Sequence, residues 1–205
     1  IKLFSKFYTN QSVKLIFIGP KIGRYYEECV SLAKKLNLLN TIIFYDDKEC
    51  NISDVLSKSK LLAITSITEA QPVIICEALT CGTPIVVNVT GGMQDQCGFK
   101  KDGVYGQDEK YRDGAYLTAE DYVELQSNHR GTYKNHGEWV EPVFPSNISC
   151  QGSPLTPYIF DDRCQYDDAG EALYDWYKVG PEERERCGEL GRQWVQGDDA
   201  QMTTK

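Results

Sequence analysis

Thr65-Ser-Ile-Thr-Glu-Ala-Gln-Pro-Val-Ile-Ile-Cys-Glu-Ala-Leu-Thr-Cys-Gly-Thr-Pro84 is the stretch on which the fold turns. It reads as a loop, a short helix, a turn and the start of a strand. Pro72 suits a first helical position, where a missing N–H costs nothing. Ile74, Ile75, Ala78 and Leu79 make one apolar stripe at helical spacing, and Glu77 falls on the other flank with Val73 and Thr80. Gly82 can take the left-handed conformation that closes a helix, and Pro84 forbids its continuation. Ile85-Val86-Val87 then reads as a buried strand. Glu69 stands before the helix and Glu77 inside it, with seven residues between them.

The flanking sequence alternates in the same way. Val13 to Gly19 is a mostly apolar run closing in glycine, which predicts a buried parallel strand. A helix follows through Leu36, a turn over Asn37 to Asn40, and a second strand over Thr41 to Tyr45. Residues 51–59 predict a short helix with Asn51 or Ser53 as its cap. Leu61 to Thr65 is the third strand and residues 84–88 the fourth. This alternation predicts an α/β fold, a doubly wound parallel sheet of Rossmann-like type. Gly19-Pro-Lys-Ile-Gly23 lacks the Gly-x-Gly-x-x-Gly spacing, so a dinucleotide fingerprint is not read there. Ligands of such sheets sit beyond the carboxyl ends of the strands. Gly19, Tyr45, Ser66, Glu69 and Val89 to Gly92 all fall at those ends.

The chemistry of the opening stretch follows from its helix. Backbone N–H groups at Ala70, Gln71 and Val73 are expected to attract an anion, a phosphate above all. A carboxylate only accepts hydrogen bonds, so each acid beside that phosphate can hold two hydroxyls. Together these features describe a nucleotide sugar, with diphosphate on the helix and ribose and sugar hydroxyls on Glu69 and Glu77. Ser66 reads as a cap or a phosphate contact. Lys21 reads as a counter-charge for the diphosphate or as a surface lysine. Gly91-Gly92 is a tight turn or a place where backbone meets ligand, and Gln94 and Asp95 follow it towards the same cleft.

Glu69-x7-Glu77, then Gly82, Pro84, the strand Ile85 to Val87 and the pair Gly91-Gly92 resemble, in this order, the signature of the group 1 family of retaining glycosyltransferases of GT-B fold. The resemblance covers residues 1–95 well and 136–195 more loosely. One departure stands out. Where the family has Glu-Gly-Phe/Leu-Gly at the first acid, this chain has Glu69-Ala70-Gln71-Pro72, which leaves less room for a sugar against the backbone. The resemblance implies the C-terminal, donor-binding domain of a two-domain enzyme. Glu77 would then hold the ribose hydroxyls. Glu69 would contact the donor sugar or stabilise the positive charge as the sugar leaves, with helix N–H groups and a nearby cation stabilising the departing diphosphate. Gly91-Gly92 would lie beside the donor sugar. No cofactor and no divalent metal is implied, and the Asp-x-Asp motif of metal-dependent enzymes is absent. The acceptor-binding domain of the same polypeptide and the family's diphosphate-clamping Arg and Lys would lie N-terminal to Ile1. The isolated chain is accordingly expected to bind donor weakly and to be inert alone. A nucleotide-sugar 2-epimerase of the same architecture is the alternative enzyme, and a nucleotide- or glycan-binding module the alternative without catalysis.

Composition narrows the partners. The 205 residues carry a net charge of −8, which argues against nucleic acid. No apolar run reaches the length of a membrane span. The chain starts at Ile1 without a Met and reads as a piece of something longer. A cytoplasmic location is expected, with any membrane contact left to the missing part. The eight cysteines show no Cys-x2-Cys pair, so a zinc site is not expected and reduced thiols are. Sequons at Asn10, Asn51, Asn88 and Asn147 are read as chance, and His129 and His136 as solvated loop residues.

Beyond Gly92 the sequence becomes polar and tyrosine-rich, too long for a plain connection. Residues 93–135 are read as an inserted loop region with a short helix near 118–126, either lining a substrate cleft or making a surface excursion. Residues 138–145 predict a strand, Ser146 to Pro157 a loop, and two helices follow over 167–177 and 181–195. The expected organisation is thus a nucleotide-sugar-binding domain over 1–92 and 136–196, the insertion between, and a disordered tail over 197–205.

Overall fold

The computed structural model describes residues 13–66, 69–90, 93–98, 136–153 and 156–202. Two compact units divide the chain, Ile1–Lys58 and Ser59–Lys205. The α/β class expected from the alternation of apolar runs is the one observed, with parallel pairing in both units.

In the first unit β1 (Leu15–Ile18), α1 (Arg24–Lys35), β2 (Ile42–Tyr45) and α2 (Ile52–Lys58) follow one another. β1 and β2 pair in parallel from Leu15↔Ile42 to Ile18↔Tyr45. Ala33, Leu38 and Ile42 are buried, with Leu15, Leu36 and Phe44 packed against them. Asn37, at a φ of 56°, closes α1. Its N–H donates to Lys34 O and that of Leu38 to Ala33 O, the paired bonds of a left-handed helix cap. Asn51 is the cap of α2, its Oδ1 accepting from the Asp54 N–H. β1 departs from its expected burial, since Ile16, Phe17 and Ile18 are each a little over a third exposed. Among the described residues this strand is hydrogen-bonded to β2 on one side only, so its apolar residues lack a second neighbour.

The second unit is built on a parallel sheet of β3 (Leu62–Ile64), β4 (Ile85–Asn88) and β5 (Val140–Val143), with β4 in the middle. Ile85 and Val87 of β4 are fully buried, as a central strand covered on both faces requires. Helix α3 (Val73–Thr80) lays Ile75, Ala78 and Leu79 into the core and leaves Val73, Glu77 and Thr80 exposed, the division its apolar stripe predicts. It begins one residue later than expected. Pro72, with ψ 117°, is extended and serves as the N-cap rather than the first helical residue. Gly82 closes α3 at φ 72°, with Gly82 N–H donating to Leu79 O and Thr83 N–H to Ala78 O.

Residues 93–98, at the head of the expected insertion, include a short helix α4 (Met93–Gln96), and Met93 and Cys97 are fully buried. The helix expected near 118–126 lies outside the described residues. β5 appears where residues 138–145 predict a strand. The following segment is corrected by the structure, for the expected loop over Ser146 to Pro157 is mostly β6 (Asn147–Ser153), paired antiparallel with β7 (Thr156–Arg163). The polar residues scattered through Asn147 to Ser153 hide a strand whose ladder is supplied by its partner rather than by hydrophobic alternation. Helices α5 (Tyr166–Lys178) and α6 (Gly180–Met202) complete the unit. α6 runs through Gly197 to Met202, so the expected tail from Gly197 is helical at least that far.

Val86, Val143, Ala172, Trp176 and Cys187 form a buried cluster between the sheet and the last two helices, and Trp176 Nε1 donates to Ile85 O at 3.2 Å. α6 also holds the back of α3. Arg192 donates from Nε to Thr80 O and from its terminal nitrogen to Cys81 O, satisfying carbonyls that the end of α3 leaves free. No disulfide joins any of the eight cysteines. Among the described residues no helix is long and apolar enough to cross a membrane.

Candidate functional site

Because β3, β4 and β5 are parallel, their carboxyl ends lie along one edge of the sheet. Thr65 and Ser66 leave β3 there, Val89 and Thr90 leave β4, and Phe144 and Pro145 leave β5. Side chains along this edge are tied together. Ser66 Oγ donates to Glu69 Oε1 at 2.9 Å, which fixes the first acid ahead of α3. Asn88 Nδ2 donates to Ser66 O at 2.9 Å, joining β4 to the same loop. Thr90 Oγ1 donates to Asp162 Oδ2 at 2.9 Å and brings the end of β7 to the end of β4.

The start of α3 carries no side-chain cap. Ile75 N–H turns back to Pro72 O, and Gln96 Nε2 donates to the same carbonyl at 3.2 Å and to Cys76 Sγ at 3.4 Å. Gln96 is buried and so pins the first turn of α3 to α4. Ala70 and Gln71 are exposed beside this start, and Ser66 and Glu69 are half-buried. Glu77 is exposed on α3, and among the described residues its carboxylate takes no hydrogen bond or ion pair. The arrangement offers an open helix start for an anion and two carboxylates for hydroxyls, one fixed and one free to move.

Gly19, Lys21 and Tyr45 lie together in the first unit, at the carboxyl ends of β1 and β2. Gly19 N–H donates to Tyr45 O at 3.1 Å. Lys21 is held within its own unit, with Nζ 2.8 Å from Glu49 Oε2 and its N–H directed to Asp46 Oδ2. The Glu49 hydrogen bond raises the Lys21 pKa, and backbone N–H donation, chiefly from Lys48, holds Asp46 below the ordinary carboxylate value. Gly91 and Gly92 lie outside the described residues, as do the side chains of Gln94 and Asp95.

Two further groups of the second unit have shifted pKa values. Burial pushes the Cys164 thiol up to about 12, with the charges of Asp162 and Asp168 adding to it, so Cys164 is a neutral S–H that donates to Val143 O. His136, expected in solvent, is half-buried instead, and burial lowers its pKa. His129 lies outside the described residues. Glu138, Glu183 and Cys187 stand close enough together to approach a cation. Arg186 already lies between the two acids, paired with Glu138 and 2.7 Å from Glu183, so the trio has its cation.

Residues 1–119 match the family described as glycosyl transferases group 1, more than half of the chain. The chain belongs to that family. Over 95 residues, 46% of its length, the chain is 26% identical to the N-acetyl-alpha-D-glucosaminyl L-malate synthase of Bacillus anthracis and spans 24% of that protein. Its fold is similar to that of Anabaena Alr3699/HepE crystallised with UDP and glucose, at a TM-score of 0.56 and 14% identity over 95% of this chain and 39% of that one. Sucrose-phosphate synthase from Thermosynechococcus elongatus is comparable, at a TM-score of 0.54 and 15% identity over 96% of this chain and 36% of that one. The chain thus spans about a quarter to two fifths of the length of these relatives. The match favours glycosyl transfer over the 2-epimerase alternative.

Four residues that the sequence did not mark as candidates are brought to this edge by geometry: Asn88, Thr90, Gln96 and Asp162. Asn88 and Thr90 carried a usable signal, since they are polar residues closing an apolar strand. Gln96 and Asp162 carried none. Each reaches the edge through a tertiary contact, from α4 and from β7.

Proposed function

We propose that this chain is the donor-binding part of a glycosyltransferase that takes a sugar from a nucleoside-diphosphate sugar. The diphosphate sits at the uncapped start of α3, over the N–H groups there, with Ala70 and Gln71 beside it. Glu77 holds the ribose hydroxyls, and Glu69, oriented by Ser66, faces the sugar. Gly19, Lys21 and Tyr45 are proposed as ligand contacts of the first unit, at the carboxyl ends of β1 and β2. Gly91 and Gly92, outside the described residues, are assigned to the sugar by the family resemblance alone. The acceptor is bound by the remainder of a longer polypeptide. The observation that carries the reading is the Ser66–Glu69 hydrogen bond ahead of a helix start that no side chain caps.

Negative charge on the leaving diphosphate is stabilised by dipoles already in place, which suits transfer without a resident metal. Isothermal titration with uridine and guanosine diphosphates and their sugar conjugates tests this. One nucleotide series should bind. Glu77→Ala should weaken that binding by about tenfold or more, as loss of a charge-assisted contact does. Glu77→Ala that leaves nucleotide affinity unchanged would overturn the assignment of the ribose to Glu77.

A further inference from the structure

We propose that the β6–β7 hairpin supplies a third carboxylate to the site, Asp162, which accepts hydroxyls of the transferred sugar and so helps select it; this rests on the nucleotide-sugar reading given above. The hairpin is planted on the ligand-bearing edge of the sheet. β5 ends at Val143, and β6 begins at Asn147. Ser146 N–H donates to Arg163 O at 2.8 Å, so the outgoing and returning chains meet where β5 leaves the sheet. Strand alternation then sorts the acids of β7. Asp161 pairs with Arg163 two residues on, at 3.5 Å, and its register partner is Ser149. Asp162 points the other way, to Thr90 at the end of β4.

Thr90 is buried just beyond the last residue of β4, so this contact places Asp162 at the carboxyl end of that strand. Oδ2 of Asp162 is engaged by Thr90. Among the described residues Oδ1 accepts no hydrogen bond, and no cation pairs with the carboxylate. Asp162 is half-buried beside Cys164, and among the described residues no Lys or Arg side chain pairs with it. A carboxylate held by one O–H donor, with its other oxygen open at the carboxyl edge of a parallel sheet, is an acceptor for a polyol. It does not suit a phosphate, which its charge would repel. Along the same edge Glu69 is fixed by Ser66, itself bonded to Asn88 of β4. The two acids thus belong to one hydrogen-bonded edge, with β4 between their anchors.

The test compares a nucleotide with its sugar conjugate, using UDP against UDP-glucose and UDP-N-acetylglucosamine, and GDP against GDP-mannose. Asp162→Asn keeps an oxygen for the Thr90 hydroxyl but replaces the open acceptor by an amide donor. It should weaken the nucleotide sugar by about tenfold or more while leaving the free nucleoside diphosphate within about twofold. Asp162→Glu should restore part of the preference for the conjugate. Equal losses for nucleotide and conjugate, or no loss for either, would overturn the assignment. Wild-type chain that binds no nucleotide at all removes the nucleotide-sugar reading and this inference with it. Wild-type binding without discrimination by Asp162→Asn removes the inference alone.

Discussion

His136 shows how a residue read as solvent-exposed acquires a role from its surroundings. It stands at the approach to β5, half-buried, with Nδ1 2.9 Å from Gly137 O, and next to it Gly137 N–H donates to Cys97 O. Burial disfavours the imidazolium and outweighs the carbonyl that favours it, so its folded pKa lies below the ordinary value of 6.5. The unfolded chain therefore binds more protons than the folded one as pH falls through the mid-sixes, and stability decreases from there downward. Above that pH both states are neutral and the effect is absent. Urea denaturation between pH 5 and 8 should show this loss, its slope bounded by about 1.4 kcal/mol per pH unit for a single proton. His136→Gln should flatten that part of the profile. An unchanged slope in the variant would assign the effect to other groups. The acids proposed for the site differ from His136 in kind. Glu69 and Glu77 were legible in the sequence because their spacing, with Gly82 and Pro84 behind them, is local. Asp162 was not, because nothing within its own neighbourhood says that β7 returns to the end of β4.

At the scale of elements, α3 is organised by its two ends. Its start is left open, whereas its finish is locked by Gly82, by Arg192 and by the close passage of α6. Gly188 makes that passage possible. A Cβ there would lie 1.9 Å from Gly82 O, a backbone atom fixed by the helix cap. Gly191 is similarly confined by Leu79 and Trp139, and Trp139 in turn meets Trp194 at 5.1 Å between ring centroids. Alanine is ordinarily worth about 1 kcal/mol over glycine within a helix. At Gly188 the sign should reverse, since overpacking against backbone costs about 1–3 kcal/mol or more and has no flexible partner to yield. Gly188→Ala should therefore lower Tm by several degrees, whereas Gly197→Ala in the same helix, where a Cβ meets nothing within 4 Å, should hold or raise it. Equal effects of the two substitutions on thermal unfolding would refute the close approach. The presence of this helix was plain from Pro181 and the acids Glu182 and Glu183, yet its packing partner was not. A glycine in a helix reads as weakness until the neighbouring backbone is in place. The hairpin escaped for a related reason, since β6 owes its strand character to β7 and not to its own alternation.

For the whole molecule, the alternation of apolar strands and helices made the α/β class legible, because each buried parallel strand is a continuous hydrophobic run. The division of the chain at Lys58 was not legible, since the same alternation crosses it without a change in composition. Each unit has its own core, but the cores differ in kind. The second unit centres on a three-stranded sheet whose middle strand is fully buried, with large side chains such as Ile75, Leu79, Ile85 and Met93 removed from solvent. Among the described residues the first has a two-stranded sheet, three buried residues in its cluster, and β1 residues a third exposed. Two strands alone are marginal in water, and small units bury too little surface to offset chain entropy. All three tryptophans, Trp139, Trp176 and Trp194, lie in the second unit, so intrinsic fluorescence reports on it alone. A fragment of residues 59–205 should accordingly fold by itself, with a cooperative urea transition in tryptophan fluorescence. Residues 1–58 made separately should show no cooperative transition by circular dichroism. The reverse pattern, a cooperative short fragment and a molten long one, would mean that stability resides in the first unit after all, and that buried area within each unit is the wrong guide to it.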